Sequence, residues 1–128
     1  MAITTHIDVD AGLRHHKVTG ELSVTELRLT LEEVYAKSDF SAEHNVVWDI
    51  READVSSFTA QDINEVAMFV AEHWGGRDTP RAALVVASDF DFGLARMYEA
   101  SVSDDRYRSV QVFRDMTEAV AWIAGGSS

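Results

Sequence analysis

Asp49, Asp89 and Asp91 are the carboxylates whose placement invites a chemical reading. Each follows a short apolar run: Val46-Val47-Trp48 precedes Asp49, and Ala82 to Ala87 precedes the other two. If those runs are strands of an open α/β sheet, the three carboxylates gather outside the strands' carboxyl ends, where such sheets bind ligands. Three hard oxygen donors suit Mg²⁺, and Asp89-Phe90-Asp91 has the Asp-x-Asp form used in phosphoryl transfer. No Lys and Thr at matching spacing complete such a site. Asp89 and Asp91 are equally suited to a helix start, where a carboxylate meets the positive end of the dipole. No metal or other cofactor is expected. Arg51 lies just past the first of these runs and Arg96 follows the second, so both can reach the same rim. Their guanidinium forks can grip a ligand carboxylate or phosphate, or pair internally with Asp49 or Asp54. The internal pair is the expectation, with Asp49 facing Arg96 and the Asp49 carboxyl held ionised. Asp49, Arg51, Asp89, Arg96 and Tyr98 together form the candidate ligand-binding set.

Catalytic sets are absent from the pattern. His15 and His16 are adjacent, so on a strand they point to opposite faces and cannot chelate together. His6, His44 and His73 are scattered. Ser56 and Ser57 lack the glycine-flanked elbow of a hydrolase nucleophile, and there is no Gly-rich phosphate loop. No catalytic residue is assigned, and an enzyme is not expected.

Nine elements can position these residues. Residues 3–9 and 13–19 read as two strands around the turn Asp10-Ala11-Gly12. Ser23-Val24-Thr25-Glu26 is a capping box, followed by Val24, Leu27, Leu31 and Val34 at helical spacing, with the helix ending near Ser38. Val46 to Ile50 suits a strand buried on both faces. Thr59 opens a second helix carrying Ile63, Val66, Ala67, Val70 and Trp74; Gly75-Gly76 stops it, and Pro80 marks the next loop. Ala82 to Ala87 is a strand. Ser88 or Asp89 caps a third helix with Leu94, Met97, Tyr98 and Ser101 on one side. A last strand lies within Arg106 to Phe113. A short helix after the capping box Asp115-Met116-Thr117-Glu118 turns Met116, Ala119, Val120 and Ile123 inward. The order β-β-α-β-α-β-α-β-α implies an α/β domain, with a mixed sheet because the opening hairpin is antiparallel.

Composition agrees with one domain. The chain has 128 residues, which fits a single domain over 1–124 with a flexible tail at 125–128. It has no cysteine, which excludes disulfides, thiol chemistry and a zinc ribbon. A net charge of −11 argues against partners made of nucleic acid, whose phosphates need Lys and Arg, and against anionic membrane surfaces. No run approaches the length that spans a bilayer. The start, Met1-Ala2-Ile3-Thr4-Thr5-His6, is not an export signal, so a cytoplasmic location is expected.

Three stretches carry a family resemblance: Val18-Thr19-Gly20-Glu21-Leu22, Val47 to Asp54, and Phe92 to Glu99, with Val112-Phe113-Arg114-Asp115 and Ala119-Val120-Ala121-Trp122 downstream. Through them the chain resembles the SpoIIAA-like proteins, a bacterial family related to STAS domains and grouped with the SEC14 lipid-binding fold. The resemblance implies a STAS-like fold and no defined activity. The STAS relatives that antagonise anti-sigma factors bind a kinase partner and are switched by phosphorylation near the pattern Asp-Ser-Ser-Gly. Here the corresponding stretch is Ser57-Phe58-Thr59-Ala60, which puts Thr59 at the modified position but lacks the Asp and the Gly. Thr59 serves equally as an ordinary helix cap.

Two functions follow. The first is a non-enzymatic binding or regulatory module whose partner is another protein. The second is a carrier of a small apolar or amphipathic ligand near Trp48, Phe92 and Tyr98. A closed apolar cavity of roughly 300 Å³ or more favours the carrier; a solid core with an exposed apolar patch favours the protein partner. Trp74, Trp122, Phe40 and Phe58 supply further aromatic surface for a core, a pocket or a homodimer interface.

Overall fold

In the computed structural model, residues 2–41, 44–72, 81–102 and 109–125 are described. The elements are β1 (Ala2–Asp8), β2 (Leu13–Glu21), α1 (Val24–Tyr35), β3 (Asn45–Asp54), α2 (Ala60–Glu72), β4 (Arg81–Val85), α3 (Asp89–Val102), β5 (Ser109–Phe113) and α4 (Met116–Ile123). One five-stranded sheet runs in the spatial order β1-β2-β3-β4-β5. β1 is antiparallel to β2, and every later neighbour is parallel. The hairpin turns at Gly12, whose φ of +64° suits a residue without a Cβ.

A parallel sheet built in sequence order by right-handed crossovers places successive crossover helices on one face. α1, α2 and α3 share that face, covering a core of Val18, Leu22, Leu27, Leu31, Val55 and Val66 that continues into Ala67, Leu84, Val86, Ala95 and Val110. α4 packs on the other face, where Ala119, Trp122 and Ile123 meet Val47, Ala83 and Val85. Strand alternation then sorts β2 and β3. Arg14, His16, Val18, Trp48 and Ile50 face the three helices, while Leu13, Val47 and Asp49 face the α4 side.

The expected mixed α/β architecture is the one observed, and three local details differ. β3 is longer than its apolar run, reaching Asp54, because β2 continues beside it past a register shift between Lys17 and Thr19. Leu22 then donates its backbone N–H to the Asp54 carbonyl. Met97 and Val120, expected inward, are exposed. On α3 the inner positions go to Leu94, Ala95 and Tyr98, which meet the core. On α4 the Trp122 ring reaches the sheet beside Phe113 and turns Val120 outward. The expected helix stop at Trp74, Gly75, Gly76 and Pro80, and the start of the last strand at Arg106, lie outside the described residues. No described helix is long and apolar enough to cross a membrane.

Candidate ligand-binding site

The layer between the sheet and α1, α2 and α3 is incompletely filled. A cavity of about 100 Å³ lies there, walled by Leu22, Leu31, Trp48, Ile50, Leu94 and Tyr98 among others. β3 supplies Trp48 and Ile50 because alternation turns them to this face. α1 supplies Leu27 and Leu31, held in place by Ser23, whose hydroxyl accepts the Glu26 backbone N–H and starts the helix. α3 supplies Asp91, Leu94, Ala95 and Tyr98, and begins where the Ser88 hydroxyl accepts the Asp91 N–H. Asp91, Tyr98 and Trp48 are the lining residues whose side chains carry a polar group.

A polar chain runs behind this wall. The His16 ring stacks on Trp48 with centroids 4.0 Å apart. Arg14 Nε donates to His16 Nε2 at 3.1 Å, which leaves Nδ1 to carry the imidazole proton and donate to Thr5 Oγ1 at 2.9 Å. Burial, helped by the Arg14 charge, pushes the His16 pKa down to about 3, so the ring is neutral. Burial also lowers the Arg14 pKa and pushes the Tyr35 phenol up to about 12. The Arg14 guanidinium lies over the Phe40 ring, 5.0 Å from its centroid.

The residues singled out from the sequence do not form one cluster. Asp49 and Arg51 make a bidentate pair, with both nitrogen–oxygen distances at 2.9 Å, on the α4 side of the sheet. Those hydrogen bonds hold the buried Asp49 carboxyl below its ordinary range. The expected Asp49–Arg96 pair is thus replaced by Asp49–Arg51, since two residues two apart on one strand share a face while α3 packs on the other. Arg96 is exposed on α3, its guanidinium 6.0 Å from the centroid of the Phe92 ring. Asp89 pairs with Arg114 across the exposed rim. Thr59 caps α2: its hydroxyl accepts the Asp62 N–H at 3.1 Å, and the Asp62 carboxylate accepts the Thr59 N–H at 3.0 Å. Of the proposed ligand-binding set only Tyr98 lines the cavity, together with Trp48 from the carrier hypothesis. Among the described residues no group of three His, Asp or Glu could hold a metal.

Sequence reasoning missed Arg14. Its signal was an arginine at an alternating strand position whose neighbours on that face, His16 and Val18, both turn inward.

No family model matches the chain, and no curated protein matches it. Among solved structures it is similar to an uncharacterised protein of the DUF3478 family from Shewanella loihica PV-4, described as having a SpoIIAA-like fold. The match has a TM-score of 0.59 at 19% identity and covers 95% of this chain and 92% of that one. The chain has a SpoIIAA-like fold. At that identity the likeness concerns the fold and carries no activity across. The SpoIIAA-like fold expected from the words around Gly20, Asp49 and Arg96 is therefore the observed one.

Proposed function

We propose that this protein is a non-enzymatic binding module that holds a small apolar molecule between its sheet and the layer of α1, α2 and α3. The observation that carries the reading is the cavity, with its almost wholly apolar wall. At about 100 Å³ it is well below the roughly 300 Å³ of drug-sized pockets. The ligand is correspondingly small: an apolar cavity of about 150 Å³ takes one benzene, so this one suits nothing larger than a single unsubstituted ring or a short branched chain. Asp49–Arg51, Asp89–Arg114 and Thr59–Asp62 are each accounted for as structural pairs or caps, which supports a reading without catalysis.

The test is binding of benzene, a neutral probe with no polar group to confuse the result. Calorimetry on the parent protein and on Val70→Phe compares an open cavity with one narrowed by an added ring, Val70 being a lining residue. Saturable binding by the parent that is lost in Val70→Phe supports the proposal. Equal binding by both proteins, or none by the parent, rejects it.

A further inference from the structure

β1 is the outer strand of the sheet. Its inner edge pairs with β2 residue for residue from Ala2 to Asp8, without a bulge. Its outer edge meets no described strand. Alternate N–H and C=O groups of an antiparallel strand point to that side, so a straight row of them has no partner among the described strands. Exposed edges are ordinarily blunted by lysine, proline, a bulge or very short length. β1 has no lysine, arginine or proline and runs for seven residues. Its one carboxylate, Asp8, stands at the end of the strand. Ile3, Thr4, Thr5 and Ile7 are β-branched, the type that suits a paired strand.

We infer that β1 pairs with β1 of a second copy of this chain, antiparallel about a two-fold axis, so that the two five-stranded sheets join into one. The strand is self-complementary in that arrangement. Antiparallel pairing that uses all seven residues sets Thr5 opposite its counterpart, Thr4 opposite His6, Ile3 opposite Ile7 and Ala2 opposite Asp8. No like charges meet in this register. The axis stands perpendicular to the sheet, so the helix-covered faces of the two copies lie on one side. Ile3, Thr5 and Ile7 share that face and are half-buried in the single chain, and Ile3 already packs on the core. Each Ile3 then lies beside an Ile7 of the other copy, and the apolar layer continues across the junction. Charge points to the same surface. Two copies of a chain with net charge −11 repel one another. Residues 1–21 hold Asp8, Asp10 and Glu21 against Arg14 and Lys17, so the hairpin carries almost none of that charge. No β1 residue lines the cavity, and the inference stands apart from the cavity reading.

The experiment is sedimentation of the full-length chain over a micromolar concentration series, for the parent and two double variants. Thr4 and His6 are exposed, so both tolerate substitution without disturbing the core. Thr4→Lys with His6→Lys sets ammonium groups opposite one another twice across the axis. Thr4→Lys with His6→Glu sets an ammonium opposite a carboxylate at the same two places, which happens only in the register centred on Thr5. The parent is expected to sediment at twice 14.2 kDa. The double lysine variant is expected to dissociate about tenfold more readily, and the lysine–glutamate variant to recover the parent's dimer. The recovering variant also shows that a lysine at position 4 leaves the fold intact. A parent that stays at 14.2 kDa throughout overturns the inference. So does a dimer that the double lysine variant leaves unchanged, or one that the lysine–glutamate variant fails to restore.

Discussion

Acid destabilises this fold through one buried imidazole before it reaches the carboxylates. His16 has no exposed surface, accepts a hydrogen bond from Arg14, and titrates at about 3 where the ordinary value is 6.5. In this window the unfolded chain binds a proton at His16 and the folded chain does not. Stability therefore rises with pH; the His16 contribution is complete above about pH 6.5 and is lost as pH falls towards 3. Between about pH 7.5 and pH 4.5 the two pKa values give a loss of about 3 kcal/mol. The carboxyls of Asp49 and Asp54 are held below their ordinary 3.8, so their contribution disappears at lower pH, outside this window. The assay is urea denaturation at both pH values for the parent and for His16→Asn. Asn can donate to Thr5 from the position of Nδ1 and does not titrate, but it stops short of Nε2 and so gives up the bond from Arg14. Comparing the two proteins cancels the other four histidines. The variant is expected to be less stable at neutral pH, having lost the ring over Trp48, and to lose about 3 kcal/mol less on acidification. Equal losses in the two proteins would refute the buried neutral imidazole.

Two further outcomes follow from the pairs and caps. Arg51→Ala strands a buried carboxylate and is expected to cost about 1–2 kcal/mol in urea denaturation, less than a wholly buried pair because Arg51 is partly in water. In the same variant the Asp49 carboxyl titrates higher by NMR, whereas Arg96→Ala leaves it where it was. Thr59→Ala removes the hydroxyl that starts α2 and is expected to cost about 1 kcal/mol by thermal or urea unfolding, with Thr59→Ser restoring most of it.

The sheet was legible because its signals are local. Val46 to Trp48 and Ala82 to Val85 are apolar on both faces, Asp10-Ala11-Gly12 is a turn, and the caps at Ser23, Thr59, Ser88 and Asp115 each bond the backbone of their helix. Which of two adjacent helical residues turns inward was less legible. Val120 and Trp122 both suit an apolar stripe, and the choice depends on the gap beside Phe113, a tertiary fact. The candidate site was half legible. Trp48, Phe92 and Tyr98 were placed near a ligand; Trp48 and Tyr98 line the cavity and Phe92 does not. Asp49 and Arg96 were brought to one rim by their distance from strand ends, a criterion blind to which face of the sheet each occupies. Arg51 pairs with Asp49 for the reason the alternation gives, a spacing of two on β3. Arg14 escaped notice because an arginine on a strand is ordinarily solvated, and only the packing of Tyr35, Phe40 and His16 reveals that this one is not.

The central claim is that the space bounded by Trp48, Leu31, Leu94 and Tyr98 admits a ligand. Methyl NMR with added benzene tests it most directly, because the wall carries leucine, isoleucine and valine methyls from the sheet and all three helices. The account predicts saturable shifts and benzene contacts at Leu31, Ile63 and Leu94, with the methyls of Val47 and Ile123 on the α4 side unmoved. Shifts spread equally over both faces, or confined to exposed Leu29 and Met68, would contradict it.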